Sequence, residues 1–210
     1  MFITLLGTQL HESGKFYDNL ELHMRNRYLA VHKFYNFLRA NKLAPIPVKL
    51  KVLRACVMSA MLHNCETFGK CSLKKLESLY FTLIKQCLGV RASTPNKLVL
   101  IESGMPSLQT LILTRQFKIF KTFITELAEN SPRKIVYESL LQNRNPYLQY
   151  YCKLTQDNQN TEEIKIQEKD KLLAEVTNFA ENNKYKFQIY KNFNPNLKTP
   201  DLMKPYAVEF

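Results

Sequence analysis

The sequence is poor in the residues that interrupt helices and in the carboxylates that catalysis uses. It has only 5 glycines in 210 residues, which indicates helices joined by short connections. Its only aspartates are isolated from one another, namely Asp18, Asp157, Asp170 and Asp201. Two-metal phosphoryl transfer needs carboxylates that meet at one pair of ions, so the sequence offers no Asp-Asp pair for that chemistry.

Several other signals are missing as well. No apolar run reaches the roughly 18 residues that a membrane-spanning helix needs, so we expect no membrane segment. The apolar start, residues 1–6, lacks a basic lead and a small-residue cleavage site and is therefore not a signal peptide. There is no glycine-rich phosphate loop and no Gly-x-Ser-x-Gly elbow. We therefore expect an intracellular protein with no active site and no cofactor.

The sequence has 5 cysteines, which is an odd number, and most of them fall within segments of helical periodicity. Such cysteines are typical of reduced, buried thiols in an intracellular protein. His63, Cys65 and Cys71 are the one conceivable set of metal ligands. No Cys-x-x-Cys pair accompanies them and a fourth ligand is missing, so we predict no metal site.

The formal net charge of +12 is concentrated in the first part of the chain. Residues 1–130 hold eighteen Lys and Arg against eight Asp and Glu, whereas residues 131–210 hold twelve against ten. A basic front part predicts a polyanionic partner. The alternative is that this charge only keeps the surface solvated.

Apolar periodicity predicts a mainly α protein, a multi-helix bundle with a short N-terminal strand at 2–10 and an irregular C-terminal tail. The predicted helices cover residues 18–41, 46–63, 72–87, 96–101, 106–129, 131–141, 145–154 and 160–181. The helix over 46–63 is apolar nearly all round, which is typical of a central, buried helix. The strand has no convincing partner nearby, and we expect it to be an edge of a larger sheet.

Residues 87–108 form a tightly specified corner between three helices. Gly89 and Gly104 stand where left-handed C-terminal residues end a helix. Asn96 is the expected N-cap of the short helix between them, and Pro106 begins the next one.

The helix over 106–129 has two different halves. A phenylalanine-rich half is expected to face the core. The other half carries Thr110, Thr114, Arg115, Lys118 and Lys121, which suit a phosphate backbone through their charges and hydroxyls. The alternative is a plain solvated face.

The corner also carries a family resemblance. Cys87-Leu88-Gly89-Val90-Arg91-Ala92-Ser93-Thr94-Pro95-Asn96 and Ile101-Glu102-Ser103-Gly104-Met105-Pro106-Ser107-Leu108 resemble a signature in the thumb and following linker of non-LTR retrotransposon reverse transcriptases. Leu5–Leu10 with Glu12–Lys15 looks like the strand and glycine turn that follow the palm in that family, and the helix over 49–62 resembles its next segment.

The resemblance covers about residues 1–130 and implies a helical thumb that grips a template–primer hybrid. It also implies that the palm, with its paired aspartates, is missing, so the chain is expected to be a catalytically empty fragment. The implied organisation is a palm-edge strand and turn, a thumb-like bundle, an accessory region of short helices and a proline-containing tail, over residues 1–15, 16–130, 131–190 and 191–210.

We therefore expect electrostatic, weakly sequence-specific binding of RNA or an RNA–DNA hybrid. The candidate contacts are basic residues of the thumb-like part, namely Lys51, Arg54, Lys74, Lys75, Arg91, Lys97, Arg115, Lys118 and Lys121. The alternative function is a helical protein-interaction module that binds the missing palm, or a second copy of itself, and has no nucleic-acid role.

Overall fold

The computed structural model describes residues 2–5, 8–11, 16–65, 73–125, 131–142, 146–156 and 160–181. This part of the chain is mainly helical, as the sequence predicts. Its helices are α1 (Phe16–Ala40), α2 (Ile46–Val52), α3 (Ser59–Met61), α4 (Lys74–Leu88), α5 (Asn96–Ser103), α6 (Leu108–Thr125), α7 (Pro132–Gln142), α8 (Pro146–Gln156) and α9 (Thr161–Glu181). The predicted irregular tail over 191–210 lies outside the described residues.

The N-terminal part differs from the single predicted strand. Two short strands, β1 (Phe2–Leu5) and β2 (Thr8–His11), pair with each other in antiparallel register, with Phe2 opposite His11. Each strand thus has a partner within the chain, whereas the sequence predicts one continuous strand without a partner nearby.

Residues 46–61 form one continuous helix that is not uniformly α-helical. A π-helical turn, Leu53–Met58, joins α2 to α3, and the junction residues Val52 and Ser59 both keep right-handed helical dihedrals. We call residues 46–61 the central helix. Leu50, Leu53, Val57 and Met61 share its buried face.

The central helix exposes a wider face than its nearly continuous apolar pattern predicts. Val48, Lys51, Ala55 and Ser59 follow one another at helical spacing, and all four are exposed. The sequence predicts a narrower exposed face because the exposed residues include an apolar side chain and small ones, which say little about which side faces solvent.

The core lies where α1, the central helix, α4 and α6 meet. Its fully buried side chains come from all four elements and include Phe34, Leu53, Val57, Leu76, Tyr80, Leu83, Ile84 and Leu108. The Tyr80 hydroxyl donates a hydrogen bond of 2.6 Å to the carbonyl oxygen of Pro106, which ties α4 to the start of α6.

The corner over 87–108 has the predicted helix ends and different caps at the helix starts. Gly89 and Gly104 have φ of +68° and +63° and end α4 and α5 in the left-handed conformation. Asn96 is not the N-cap: Pro95 occupies that position, and no side chain caps α5. Ser107 caps α6 instead, because its Oγ accepts the amide hydrogen of Thr110 at 3.0 Å.

The later helices pack on the same body. α8 and α9 both contact α6, and α9 also contacts α5. Val176 is buried against Leu98 and Ile101 of α5. Asn160 caps α9, since its Oδ1 accepts the amide hydrogen of Glu163 at 2.9 Å.

Candidate nucleic-acid interface

Two loops lie at one end of the molecule because the central helix and α4 are antiparallel neighbours. The first part of the central helix, α2, packs against α4. Lys49 lies close enough to Cys87, and Arg54 close enough to Tyr80, for its charge to lower the pKa of that group, so later residues of the central helix face earlier residues of α4. The start of α2 therefore lies beside the end of α4. The loop at 41–45, between α1 and α2, and the loop at 89–95, after α4, thus occupy the same end.

A lysine fixes each of these loops. Lys49 Nζ donates to the carbonyl oxygen of Lys42 at 2.8 Å, and Lys85 Nζ donates to the carbonyl oxygen of Ala92 at 2.8 Å. Partial burial lowers the pKa of the Lys85 ammonium because burial disfavours its charged form. Lys49 and Lys85 therefore position the loops rather than present themselves fully to solvent.

The elements at this end carry exposed cations without a neighbouring acid in the sequence. Arg39, Lys42, Lys51 and Arg91 are exposed on them, and so are the apolar side chains Leu43, Val48 and Val90. We call these seven residues the basic tip. No Asp or Glu occurs between Glu21 and Glu66 or between Glu77 and Glu102, so the segments that form the tip supply no carboxylate.

Lys51 and Arg91 are the two sequence-predicted contacts that lie toward this end of the molecule. Lys74 and Lys75 stand at the first turn of α4, and both are exposed. They lie at the opposite end of that helix, which has 15 residues and a length of about 22 Å at about 1.5 Å per residue. They are not part of the basic tip.

The predicted polar half of α6 faces other parts of the chain more than solvent. Arg115 Nη1 donates to the carbonyl oxygen of Leu62 at 2.8 Å, so this guanidinium binds the end of the central helix. Thr110 is buried, and Thr114 Oγ1 donates to the carbonyl oxygen of Thr110 at 2.8 Å. Exposed cations on this helix are Lys118 and Lys121, the latter 5.4 Å above the Phe117 ring.

Lys97 and Arg54 are also engaged within the fold. Lys97 Nζ lies 2.8 Å from a carboxylate oxygen of Glu175, which joins α5 to α9. Arg54 is half-buried beside Tyr80. Burial raises the pKa of the Tyr80 hydroxyl, and the positive charge of Arg54 lowers it in part. The nine predicted contacts therefore do not form one continuous surface.

Buried polar groups on α6 form a contact that the sequence reasoning missed. Gln116 is only 1% exposed. Its Nε2 donates to the carbonyl oxygen of Cys65 at 3.4 Å, and its Oε1 accepts the hydroxyl of Tyr150 at 3.2 Å. The Gln116 side chain thus joins the turn that follows the central helix to α8.

A metal centre finds no support among the described residues. No three His, Cys, Asp or Glu side chains come together there, and Cys71 of the conceived zinc set lies outside them. Cys65 and Cys87 are buried thiols, and burial raises the pKa of Cys87 to about 12. Within the same ranges, no helix is long and apolar enough to cross a membrane.

No protein-family model matches the chain, and comparison with curated proteins and with solved structures also gave no match.

Arg39, Lys42 and Leu43 were not singled out from the sequence. The sequence signal for Arg39 and Lys42 is the long stretch between Glu21 and Glu66, which contains no acid. The net charge of residues 1–130 as a whole does not reveal that stretch. The position of these residues at the same end as Arg91 depends on the antiparallel pairing of the central helix with α4, and helical periodicity carries no information on that pairing.

Proposed function

We propose that this chain is the thumb-like helical part of a non-LTR retrotransposon reverse transcriptase, that it has no polymerase chemistry of its own, and that it binds template–primer nucleic acid electrostatically. The observation that supports binding is the basic tip. There, Arg39, Lys42, Lys51 and Arg91 are exposed at one end of the bundle, on segments that contain no acid.

Phosphate binding follows from this arrangement. A cation that neutralises a phosphate releases a condensed counterion, so several cations on one surface give affinity without reading sequence. A surface that mixed acids with its bases would repel part of the backbone, and the two acid-free segments avoid that repulsion. Two loops held by Lys49 and Lys85 keep the cations in place, which reduces the ordering cost of binding.

The parentage of the chain rests on the residues of the corner over 87–108, and its catalytic emptiness rests on the isolated aspartates. Polymerase chemistry requires carboxylates that hold two metal ions together, and no two aspartates of this sequence stand at adjacent positions. The proposed role is therefore to bind a template–primer, while synthesis belongs to a palm domain.

A salt titration of binding tests this function. Fluorescence anisotropy of a labelled RNA–DNA hybrid, measured with the full chain between low and moderate salt, should give a linear plot of log Kobs against log salt. Three to four phosphate contacts predict a slope of about −3, at about −0.9 per contact. Absence of binding at low salt, or binding that salt does not change, would contradict the proposal.

A helical protein-interaction module is the second candidate, and one observation favours it. Tyr28 and Leu29 are adjacent on α1 and both are exposed. This function predicts self-association or binding to a palm domain through that surface. Sedimentation of the chain at several concentrations tests the homotypic form: a concentration-dependent dimer that Leu29→Glu abolishes would support it, and a monomer throughout would count against it.

A further inference from the structure

Leu43 is the most exposed large apolar side chain of the described residues. It is 99% exposed, at the centre of the loop between α1 and α2. Removal of a leucine side chain from water lowers the free energy, so a ligand that covers Leu43 would gain affinity from its burial.

The loop that presents Leu43 is held on both sides. The amide of Ala44 donates to the carbonyl oxygen of Asn41 at 3.1 Å, and the amide of Asn41 donates to that of Phe37 at 2.9 Å. The Asn41 side chain also donates to the Phe37 oxygen, and Lys49 binds the oxygen of Lys42. Leu43 therefore projects from a turn with a defined backbone.

The surroundings of Leu43 are cationic and partly apolar. Lys42 precedes it in the sequence, and Arg39 and Arg91 belong to the same tip. Val48 and Val90 are each 40% exposed at this end. A ligand that fits this surface must offer negative charge around an apolar interior.

Duplex nucleic acid has that composition, because phosphates line its outside and stacked bases fill its inside. Leucine is one of the apolar side chains that proteins insert between base steps, where it partly unstacks them and bends the duplex. We propose that Leu43 is a wedge that inserts between stacked bases of a duplex whose phosphates the cations of the basic tip hold. This inference rests on the proposed function and adds a non-electrostatic contact to it.

An anionic membrane shares the negative charge but fits the apolar part less well. One leucine and two half-exposed valines bring fewer apolar carbons than a single myristoyl chain, and such a chain alone gives only marginal membrane binding. A wedge between bases needs only one inserted side chain, and the tip provides one.

The test uses the full chain and an RNA–DNA hybrid that carries 2-aminopurine in the DNA strand, a base whose fluorescence rises when it is unstacked. Wild type should raise the fluorescence of at least one labelled position. Leu43→Ala should abolish the rise and weaken binding roughly tenfold, with the salt slope unchanged. Leu43→Phe should keep the rise, because phenylalanine is also a wedge residue.

Two further variants separate the possible causes. Leu43→Lys adds a cation and removes the wedge, so it should bind with a steeper salt slope and give no fluorescence rise. Ile166→Ala removes an apolar side chain that is 57% exposed on α9, outside the tip, and should behave as wild type.

The failures can be told apart. Salt-dependent binding with no fluorescence rise at any position of the hybrid overturns the wedge and leaves the proposed function in place. Absence of any binding overturns both. Leu43-dependent sedimentation with vesicles of phosphatidylserine and phosphatidylcholine, without a fluorescence rise on the hybrid, overturns the wedge in favour of a membrane contact.

Discussion

The ammonium group of Lys49 binds the main-chain carbonyl oxygen of Lys42 at 2.8 Å, across seven residues of sequence. This hydrogen bond folds the loop over 41–45 back on the first turn of the central helix. The side chain of Lys42 is thereby left at the surface, close to Leu43 and in the same basic tip as Arg91. One lysine thus positions the loop on which another is exposed.

Removal of two tip charges should change the salt dependence of nucleic-acid binding and leave stability unchanged. For the double variant Lys42→Gln/Arg91→Gln, the slope of log Kobs against log salt should become less negative by about 1.8, since each phosphate contact contributes about 0.9. Anisotropy with an RNA–DNA hybrid measures this. The matched control is Lys169→Gln/Lys171→Gln on α9, which removes two exposed charges elsewhere. Equal changes in both pairs would show non-specific attraction by net charge.

Arg115 should matter for stability rather than for nucleic-acid binding. Its guanidinium binds the carbonyl oxygen of Leu62, at the end of the central helix. Arg115→Ala leaves that oxygen without this charged donor, which should cost about 1.5–3 kcal/mol in the free energy of unfolding. Urea denaturation measures the loss. Lys118→Ala is the control on the same helix, since Lys118 is exposed. If Arg115→Ala instead reduced the salt slope at unchanged stability, Arg115 would be a phosphate contact.

The buried contact between Gln116 and Tyr150 should couple α6 to α8. Tyr150→Phe removes the hydroxyl that donates to Gln116 Oε1, and a buried acceptor without its donor costs about 1–3 kcal/mol. Gln116→Leu removes the acceptor instead. A double-mutant cycle from urea denaturation should give an interaction free energy of about 0.5–1.5 kcal/mol. Strict additivity of the two single variants would mean that the hydrogen bond contributes nothing.

Alkaline pH should destabilise the fold through buried acids. Burial raises the pKa of the Cys87 thiol from 9.0 to about 12 and also raises that of the Tyr80 hydroxyl above its ordinary 10.0. At a pH between the pKa values of a group in the unfolded and in the folded chain, the unfolded chain loses a proton that the folded chain keeps. The free energy of unfolding is therefore highest below about pH 9 and falls as the pH rises.

Urea denaturation at about pH 8 and about pH 11 measures this fall. Cys87→Ala should reduce it, because the thiol that titrates only on unfolding is gone. A free energy of unfolding that is the same at both pH values would contradict the burial of these groups.

Most helix positions could be predicted from the sequence because two local signals agree. Apolar residues recur at helical spacing, and Gly89 and Gly104 supply the left-handed ends that α4 and α5 need. The Asn160 cap of α9 is a local feature of the same kind, since a side-chain acceptor stands three residues before a glutamate.

The faces of α6 could not be predicted from its own sequence. Periodicity assigned Thr110 and Arg115 to an outer half, but contacts from elsewhere in the chain decide the outcome. Thr110 is buried, and Arg115 binds Leu62, a residue fifty-three positions away. A helical wheel shows which residues share a side and carries no information on which neighbour covers that side.

For the candidate site, the charge could be predicted from the sequence and the position of its residues could not. Its charge could be predicted because composition alone gives it, whereas the tip exists only once the central helix and α4 are paired. Pairing brings Lys51 and Arg91 to one end and leaves Lys74 at the other. The same pairing adds Arg39, Lys42 and Leu43, which no local pattern marks.

Lysine acetylation footprinting tests the central claim most directly. The full chain, free and bound to an RNA–DNA hybrid at low salt, is treated briefly with an acetylating reagent, and modified lysines are quantified by mass spectrometry. We predict that the hybrid protects Lys42 and Lys51 of the basic tip and leaves Lys169 and Lys171 of α9 unprotected. Protection of the α9 lysines with Lys42 and Lys51 still fully reactive would contradict binding through the tip.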